Sequence, residues 1–485
     1  MKHLSHNSNN TAIFIKRVEI PFEVHDVFNY HARYMAIDRL IPPWSFLRII
    51  KRNNGLEDGA ICILKLQYGP FKLKWIAKHF GYLQDQVFQD ELIKGPLKTW
   101  EHTHSFIPNE INGCKMEDKI KYSLPYGLNR FNIIGNRLNK TLYQIFSYRH
   151  RILQNDLKLR GLLKENNGKR ILISGSNGLI GSALIPFLDT AGEHKVSRLV
   201  RPSSRYSDSG NSSSIKVWDP EAGIVDPIDL EGFDIFIHLS GESIGGRWSK
   251  AKKKRIRDSR VKTTELLCNT IKKLNKPPST LLCASAIGYY GSRGEEVVTE
   301  ETKAGDGFLA NLCVDWEAQS KSLEAIGVRV VSARFGLILS PNGGILKLLT
   351  LASYLKIGIG FGNGCNIFNW VSIEDAIGSI LYSIGNTTIR GPVNIVSPNP
   401  VKASDFFEII SKIQENKIFL RIGSGFMKLA IGDFADTLSD SNGVVKPQKL
   451  LISGYPFMNP GLEDAVRLLL GRQIGHGTEQ RSIES

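Results

Sequence analysis

Residues 170–181 read RILISGSNGLIG, an apolar run that passes directly into three glycines spaced three residues apart. The apolar run is typical of a buried strand, and the residues after the second glycine are typical of a helix. In such a turn Gly175 lets the chain reverse sharply, Gly178 lets backbone N–H groups approach a pyrophosphate, and Gly181 lets the helix pack on the sheet. The stretch therefore predicts a dinucleotide site built by Gly175, Ser176, Asn177, Gly178, Leu179, Ile180 and Gly181.

Strands and helices alternate over residues 169–415, which predicts an α/β Rossmann-like, doubly wound parallel sheet. Residues 416–472 are expected to form a small α+β C-terminal domain, and residues 473–485 a disordered tail. The candidate strands of the sheet are Arg170–Ser174, Lys195–Val200, Ile235–Leu239, Thr280–Ser285, Arg329–Phe335 and Val393–Val396.

The first part of the chain, residues 1–164, is rich in strand-like runs and ends in a long helical stretch, Leu128–Leu163. One helix, a meander and a closing helix predict a curved antiparallel sheet that grips the last helix. Such a sheet leaves an apolar cavity beside the helix, so we expect an apolar ligand there. The polar residues 165–168 are expected to link the two parts. The candidate strands are Ala12–Ile20, Phe46–Lys51, Ala60–Tyr68, Leu73–Phe80, Val87–Ile93, Thr99–Ile107 and Lys115–Tyr122.

The end of the second strand of the parallel sheet indicates which dinucleotide is bound. An NAD site places an acidic residue there to hold the ribose hydroxyls. This chain has Arg201, followed by Ser203 and Ser204, and a guanidinium pairs well with a 2′-phosphate. We therefore expect NADP(H). A solvated surface arginine is the alternative.

The third strand ends in Leu239, Ser240 and Gly241, where the adenosine and ribose of a dinucleotide cross the strand tips. His238, inside the strand, is expected to be a buried structural residue. The run Arg247–Lys262 is strongly basic, and we read it as a solvated helix face beside the cofactor phosphates, with nucleic-acid binding as the alternative.

Composition sets the general class of the protein. The 485 residues are 42% hydrophobic and 22% charged, as in ordinary globular proteins, and the net charge is +15. The sequence has no long apolar run for a transmembrane segment and a polar start without a signal peptide. None of the six cysteines has metal-ligand spacing, so we expect no metal site, free thiols and a reducing, cytoplasmic location. Charge alone does not indicate a nucleic-acid partner.

The second part of the chain resembles the extended and atypical short-chain dehydrogenase/reductases. The glycine turn and FNWVSIED (368–375) follow that superfamily's order. More narrowly, HLSGESI (238–244), GDGFLANLCVDWE (305–317) and VKPQKLLISGYPF (445–457) resemble NADP-binding epimerase-family proteins with a conserved C-terminal domain of unknown function. The resemblance implies an NADP(H)-dependent oxidoreductase or epimerase.

The first part resembles the START-like SRPBCC ligand-binding domains. The motifs are KRVEIPFEVHDVFNYHAR (16–33), GPFKLKWIAKH (69–79), DELIKGPLKTWEHTHSF (90–106) and FSYRHRIL (146–153). This resemblance implies a helix-grip fold that binds an apolar ligand.

The sequence departs from the superfamily at its acid/base pair. Active members use Tyr-x-x-x-Lys, in which the lysine lowers the pKa of the tyrosine. Phe308 and Leu312 stand at those positions here. Ser285 and Tyr290 remain as candidate catalytic residues, with packing against the cofactor as the alternative for Tyr290. Glu300, Glu301 and Asp306, in the loop before the helix, are alternative proton donors. The resulting expectation is an atypical enzyme acting on an unidentified small molecule, and the alternative is a non-catalytic NADPH-responsive sensor or carrier. The oligomeric state cannot be derived from the sequence.

Overall fold

The computed structural model describes residues 11–45, 47–53, 55–68, 71–110, 112–126, 132–162, 168–191, 194–203, 214–423, 425 and 442–472. The linker residues 165–167, the serine-rich stretch 204–213 and the predicted tail 473–485 lie outside the described residues.

The first part of the chain builds one antiparallel sheet and three helices. The sheet has seven strands in the order β1-β7-β6-β5-β4-β3-β2. The elements are β1 (Ala12–Ile20), α1 (Val24–Ala32), α2 (Ala36–Leu40), β2 (Leu47–Arg52), β3 (Ile61–Tyr68), β4 (Phe71–Leu83), β5 (Val87–Lys94), β6 (Thr99–Pro108), β7 (Cys114–Ser123) and α3 (Asn132–Leu162). All seven predicted strands are confirmed, with the antiparallel pairing expected of a meander.

The two faces of this sheet follow from the alternation of side chains along each strand. In β7, Met116, Ile120 and Tyr122 are buried, whereas Lys115 and Lys121 are exposed. The buried face packs against α3 and α1 in two apolar clusters.

The second part of the chain builds the parallel sheet. The eight strands run in the order β11-β10-β9-β8-β12-β13-β15-β20, and only the β10–β11 pair is antiparallel. The elements up to the centre of the sheet are β8 (Arg170–Ser174), α4 (Leu179–Thr190), β9 (Lys195–Val200), β10 (Ser214–Asp219), β11 (Ile224–Val225), α5 (Pro227–Leu230), β12 (Ile235–His238), α6 (Lys250–Ile271) and β13 (Thr280–Ala286).

The remaining elements complete the sheet and add four two-stranded sheets around it. They are β14 (Gly294–Val298), α7 (Phe308–Lys321), β15 (Arg329–Phe335), β16 (Leu337–Leu339), α8 (Gly344–Ser353), β17 (Ile357–Phe361), β18 (Ile367–Phe368), β19 (Trp370–Ser372), α9 (Ile373–Gly385), β20 (Gly391–Ile395), β21 (Val401–Lys402), α10 (Ala403–Ile413), β22 (Ile418–Ile422), β23 (Asn442–Val445), α11 (Gln448–Ile452) and α12 (Leu462–Leu470). All six predicted strands are confirmed, with bounds that shift by at most two residues.

Segment 416–472, predicted as a separate C-terminal domain, is built into this second part. Its strands β22 and β23 pair with β17 and β14. Several side chains of α11 and α12, including Leu450 and Val466, are buried in the same apolar cluster as the central strands.

The two parts of the chain are joined by a buried ion network. Arg39 of α2 pairs with Asp156 of α3 at 2.8 Å and with Glu374 of α9 at 2.7 Å. The hydroxyls of Tyr30 and Tyr148 donate to Asp156 at 2.7 Å and to Glu374 at 3.3 Å. Because a buried charge without its partner is expensive, this network fixes the first part against the second.

Within the described residues, no helix has the length and apolar character needed to cross a membrane. The six cysteines are free thiols, and five of them are buried.

Candidate functional site

The glycine turn follows β8 and lies against the end of β12. Gly175 has a φ of +73°, and a Cβ at this position would lie 2.6 Å from the carbonyl oxygen of Leu239. A Cβ on Gly181 would lie 2.5 Å from the carbonyl oxygen of Gly175. Both approaches are too close for any side chain, so the turn depends on glycine at these two positions.

The tip of this turn opens the first helix of the parallel sheet. Asn177 and Gly178 are exposed, whereas Ser176 is buried beneath them. Helix α4 begins after Gly178 without a side-chain cap and without an acidic residue in its first turn. The first backbone N–H groups of the helix and its positive end therefore face an open position that favours an anion.

The strands beneath the turn are tied together by buried polar groups. The backbone N–H of Leu239 donates to the carbonyl of Ser174 at 3.1 Å, and Ser174 Oγ lies 2.6 Å from His238 Nδ1. Burial lowers the pKa of His238 to about 4, which keeps the imidazole neutral. His238 is therefore the buried structural residue that its position in the strand predicts.

Arg201 lies just past the end of β9, on the same edge of the sheet as the glycine turn. Its side chain is 59% exposed, and its Nη1 is 3.6 Å from Glu221 Oε1. Exposed pairs of this kind hold their partners weakly, so the guanidinium is free to turn towards another anion. Ser203 is exposed beside it, and Ser204 lies outside the described residues.

Gly241 follows the end of β12 and packs against Arg260 of α6. The guanidinium carbon of Arg260 is 3.2 Å from the place of a Cβ on Gly241, and Arg260 donates to the carbonyl of Glu242 at 3.0 Å. The N–H of Glu242 donates to Ser259 Oγ at 2.9 Å. Leu239, Ser240 and Gly241 are half-buried or exposed at the strand tip. Arg260 therefore shapes the segment on which the ribose is predicted to lie.

The basic stretch that begins α6 has partners within the protein. Lys252 pairs with Glu242 at 2.7 Å, Lys254 with Asp258 at 2.5 Å, and Arg257 with Asp315 at 2.6 Å. These contacts favour the interpretation of a solvated helix face beside the site.

Ser285 is the last residue but one of β13 and belongs to a buried ion cluster. Its hydroxyl donates to Glu317 Oε1 at 2.6 Å. Arg334 of β15 donates to both oxygens of Glu317, from Nε and from Nη2, at 2.8 Å each. The hydroxyl proton of Ser285 is thus directed at a carboxylate, and the residue is 3% exposed.

Tyr290 occupies a different position from the one predicted for a catalytic residue. It is 0% exposed, its hydroxyl donates to Asn394 Oδ1 at 2.6 Å, and Arg334 Nη1 donates to that hydroxyl at 3.0 Å. Burial raises its pKa to about 12. The geometry therefore does not support Tyr290 as a proton donor to substrate, because the ring packs inside the protein and its hydroxyl holds Arg334.

The positions of the missing acid/base pair carry an apolar cluster. Helix α7 begins at Phe308, whose ring centroid is 5.5 Å from that of Trp248. Leu312, one turn further on, is buried with Trp248 and Ile256. These side chains provide packing where a phenol and an ammonium would provide proton transfer.

Three polar residues of this region, Glu317, Arg334 and Asn394, were not predicted as site residues, and they lie beside Glu300, which was predicted only as an alternative proton donor. The four residues come from helix α7, strands β15 and β20, and the loop after β14, and Glu300 Oε1 accepts from the N–H of Asn394 at 3.0 Å. Glu317 and Arg334 both lie in motifs that carry the family resemblance, but only the fold shows that they meet.

The first part of the chain contains a cavity of about 400 Å³ between its sheet and α3. Its walls are mainly apolar and include Trp75, Phe88, Trp100, Leu142 and Phe146. A cavity of this size and lining fits a small apolar ligand.

The second part of the chain is similar to a known protein family. The model of the NAD dependent epimerase/dehydratase family matches residues 171–395. An epimerase family protein of Mycobacterium bovis is 38% identical over 297 residues, which are 61% of this chain and 96% of that protein. The relative of this kind from Bacillus subtilis is 31% identical over 301 residues, 62% of this chain and 97% of its own length.

Solved structures extend the likeness. The structure of the nucleoside-diphosphate sugar epimerase from Corynebacterium glutamicum is 31% identical, with a TM-score of 0.75, and the match covers 94% of this chain and 90% of that one. The likeness thus includes both parts of the chain. A human epimerase family protein with NADPH is 27% identical, with a TM-score of 0.55, over 62% of this chain and 99% of its own.

Proposed function

Because this chain belongs to the NAD dependent epimerase/dehydratase family, we propose that its second part binds NADP(H) and acts as an atypical oxidoreductase or epimerase-like enzyme on a small molecule. The observation that carries the proposal is the glycine turn, whose close approaches at Gly175 and Gly181 exclude side chains and leave the start of α4 open to an anion. The human family member with NADPH supports the same cofactor.

The residues at the strand tips fit the parts of this cofactor. The turn and the start of α4 would hold the pyrophosphate, Ser240 and Gly241 would meet the ribose, and Arg201 would pair with the 2′-phosphate. When bound, the nicotinamide supplies or accepts a hydride. Glu221 is the nearest competitor for Arg201, at 3.6 Å, and a phosphate of two negative charges would outcompete it.

Ser285 is the residue we assign to the substrate. Its oxygen accepts a hydrogen bond from a substrate hydroxyl, while its own O–H donates a hydrogen bond to Glu317. Arg334 binds both oxygens of that carboxylate and so fixes its position beside Ser285. Proton transfer itself would need a group of the substrate or the solvent, since Phe308 and Leu312 cannot take part.

A second candidate function is favoured by the same geometry. Tyr290 is sealed in the core, the usual acid/base positions are apolar, and the two parts of the chain share a buried ion network. These features suit a non-catalytic sensor or carrier, in which NADPH at the glycine turn acts on the first part through that network.

We propose for the first part a START-like SRPBCC domain that binds an apolar ligand. The seven-stranded antiparallel sheet, helix α3 and the apolar cavity between them support this assignment. The free thiols agree with a reducing, cytoplasmic setting. We do not include nucleic acid among the proposed partners, because Lys252, Lys254 and Arg257 pair within the protein.

Turnover measurements separate the two candidate functions. The purified chain is mixed with NADPH and a panel of sugar nucleotides and small carbonyl compounds, and NADPH oxidation is followed with wild type, Ser285→Ala and Tyr290→Phe. If the chain is an enzyme, we expect slow NADPH oxidation that Ser285→Ala reduces. Tyr290→Phe, a control outside the substrate site, should leave that oxidation unchanged. A sensor shows no oxidation, and native mass spectrometry then shows NADPH changing how much apolar ligand the chain retains. Fast turnover that survives Ser285→Ala would refute both assignments.

A further inference from the structure

A row of titratable side chains crosses the sheet of the first part and faces its cavity. His79 of β4 pairs in register with Asp90 of β5, and Asp90 pairs with His102 of β6. His104, two residues further along β6, pairs with Asp118 of β7. Because residues two apart on a strand point to the same face, all five groups share the face that lines the cavity. The proposed cofactor site does not use them, and the apolar character of the predicted ligand does not explain them.

Three of these residues have the geometry of a metal site. Asp90, His102 and His104 each place one ligand atom within 4.8 Å of those of the other two. Asp90 Oδ2 and His102 Nδ1 are 3.2 Å apart, close to the roughly 3.3 Å that separates two ligands about 2.0–2.1 Å from one tetrahedral ion. Two imidazoles and one carboxylate form a donor set that suits first-row divalent metals.

The groups around these three residues would orient them. Asp118 Oδ1 lies 3.2 Å from His102 Nε2 and 2.7 Å from His104 Nδ1. The indole N–H of Trp100 donates to Asp90 Oδ1 at 3.2 Å. The hydrogen bond from Asp118 orients the His102 ring, as in known carboxylate–histidine–metal arrangements, and His104 Nδ1 lies at ion-pair distance from the same carboxylate.

A buried carboxylate and an unpaired nitrogen lie beside these three residues. Asp118 is 0% exposed and Asp90 is half-buried, and the guanidiniums of Arg33, Arg52 and Arg149 also line the cavity. His79 Nδ1, in the same row, is buried and has no hydrogen-bond partner. We propose that Asp90, His102 and His104 bind a zinc ion at the base of this cavity, with a fourth position open to an oxygen atom of the apolar ligand.

The cysteine spacing predicts no metal site, whereas this proposal places one on histidine and aspartate side chains. Asp90 is twelve residues from His102 in sequence and lies on a different strand, so no short spacing marks the site. Three protein ligands are the number at which zinc keeps one coordination position for water or substrate. The residues of this site all belong to the first part of the chain, so none of them is shared with the proposed cofactor site.

Metal titration of the full chain tests the proposal. The protein is purified without a polyhistidine tag, treated with a chelator and titrated with Co²⁺, and Zn²⁺ is then added as competitor. We expect one Co²⁺ per chain, a visible d–d absorption band, and loss of the band when Zn²⁺ displaces the cobalt. A folded wild-type chain that shows no saturable Co²⁺ binding would overturn the proposal.

Variants locate the ion. His102→Ala and His104→Ala should abolish the band, and Asp118→Asn should weaken binding about 10–100-fold while keeping one ion per chain. His25→Ala, at an exposed histidine of the same part that pairs with Asp85, is the matched control and should bind as wild type does. Circular dichroism shows whether each variant folds, and if the alanine variants unfold, Asp118→Asn and the wild-type titration decide. Wild-type affinity in folded His102→Ala would contradict the assignment.

Discussion

Removal of the Glu317 carboxylate tests whether the ion cluster at Ser285 is as tightly built as its distances indicate. Glu317 accepts two hydrogen bonds from Arg334 at 2.8 Å and one from Ser285 at 2.6 Å. The side chain of Arg334 is only 3% exposed. Glu317→Gln keeps the shape of the side chain, removes its charge, and leaves a buried guanidinium without a counter-ion.

The magnitude follows from that burial. Breaking a buried pair by removing one partner costs about 3–5 kcal/mol, so the free energy of unfolding should fall by about 3 kcal/mol or more. Asp315→Asn, on the same helix, breaks the pair with Arg257, in which both side chains are more than 40% exposed, and should cost about 0–1 kcal/mol. Urea unfolding followed by tryptophan fluorescence measures both values. Equal losses of unfolding free energy in the two variants would show that burial does not make the Glu317–Arg334 pair the more costly one to break. Glu317→Gln combined with Arg334→Met should recover part of the loss.

Three further predictions concern the cofactor turn and the joint between the two parts. Arg201→Ala should weaken NADPH about tenfold, or about 1.4 kcal/mol, and leave NADH unchanged in fluorescence titrations, because only NADPH carries the 2′-phosphate. Arg39→Met should lower the free energy of unfolding by about 3–5 kcal/mol, since it strands two buried carboxylates, whereas Arg17→Met at an exposed pair should change it by less than about 1 kcal/mol in the same urea experiment. Gly181→Ala should destabilise the chain by about 1–3 kcal/mol on thermal unfolding, because its Cβ would lie 2.5 Å from a backbone oxygen, and Gly178→Ala, whose nearest atom is at 3.2 Å, should cost less.

The fold was predictable where local pattern and burial agree. The six predicted strands of the parallel sheet are rich in apolar residues and mostly buried, and each was found close to its predicted bounds. Strand β10 was missed, since Ser214–Asp219 lies near the sheet edge and mixes polar with apolar residues. The short strands β14 and β23, which pair across about 150 residues of sequence, give no local signal at all.

The candidate site was predictable only in part. A glycine turn is local, so its residues could be placed from one stretch of sequence. The partners of Ser285 come from a helix and a strand that follow later in the chain, and their contact depends on the packing of α7 against β15. Tyr290 was expected at the mouth of the site from the family resemblance, but the turn after β13 directs its ring into the core. Direction of a side chain in an irregular turn is set by tertiary packing, which spacing does not reveal.

The most direct test of the central claim is the affinity of the chain for NADPH at the glycine turn, measured by isothermal titration calorimetry. We expect wild type to bind one NADPH per chain, at least about tenfold more tightly than NADH. Gly178→Val is the decisive variant, because Gly178 is exposed at a φ of −74° that valine also adopts, so the fold should persist while the side chain covers the start of α4. We expect this folded variant to lose NADPH binding, because the valine side chain occupies the position of the pyrophosphate. NADPH binding of wild-type strength in Gly178→Val, or no NADPH binding by the folded wild type, would contradict it.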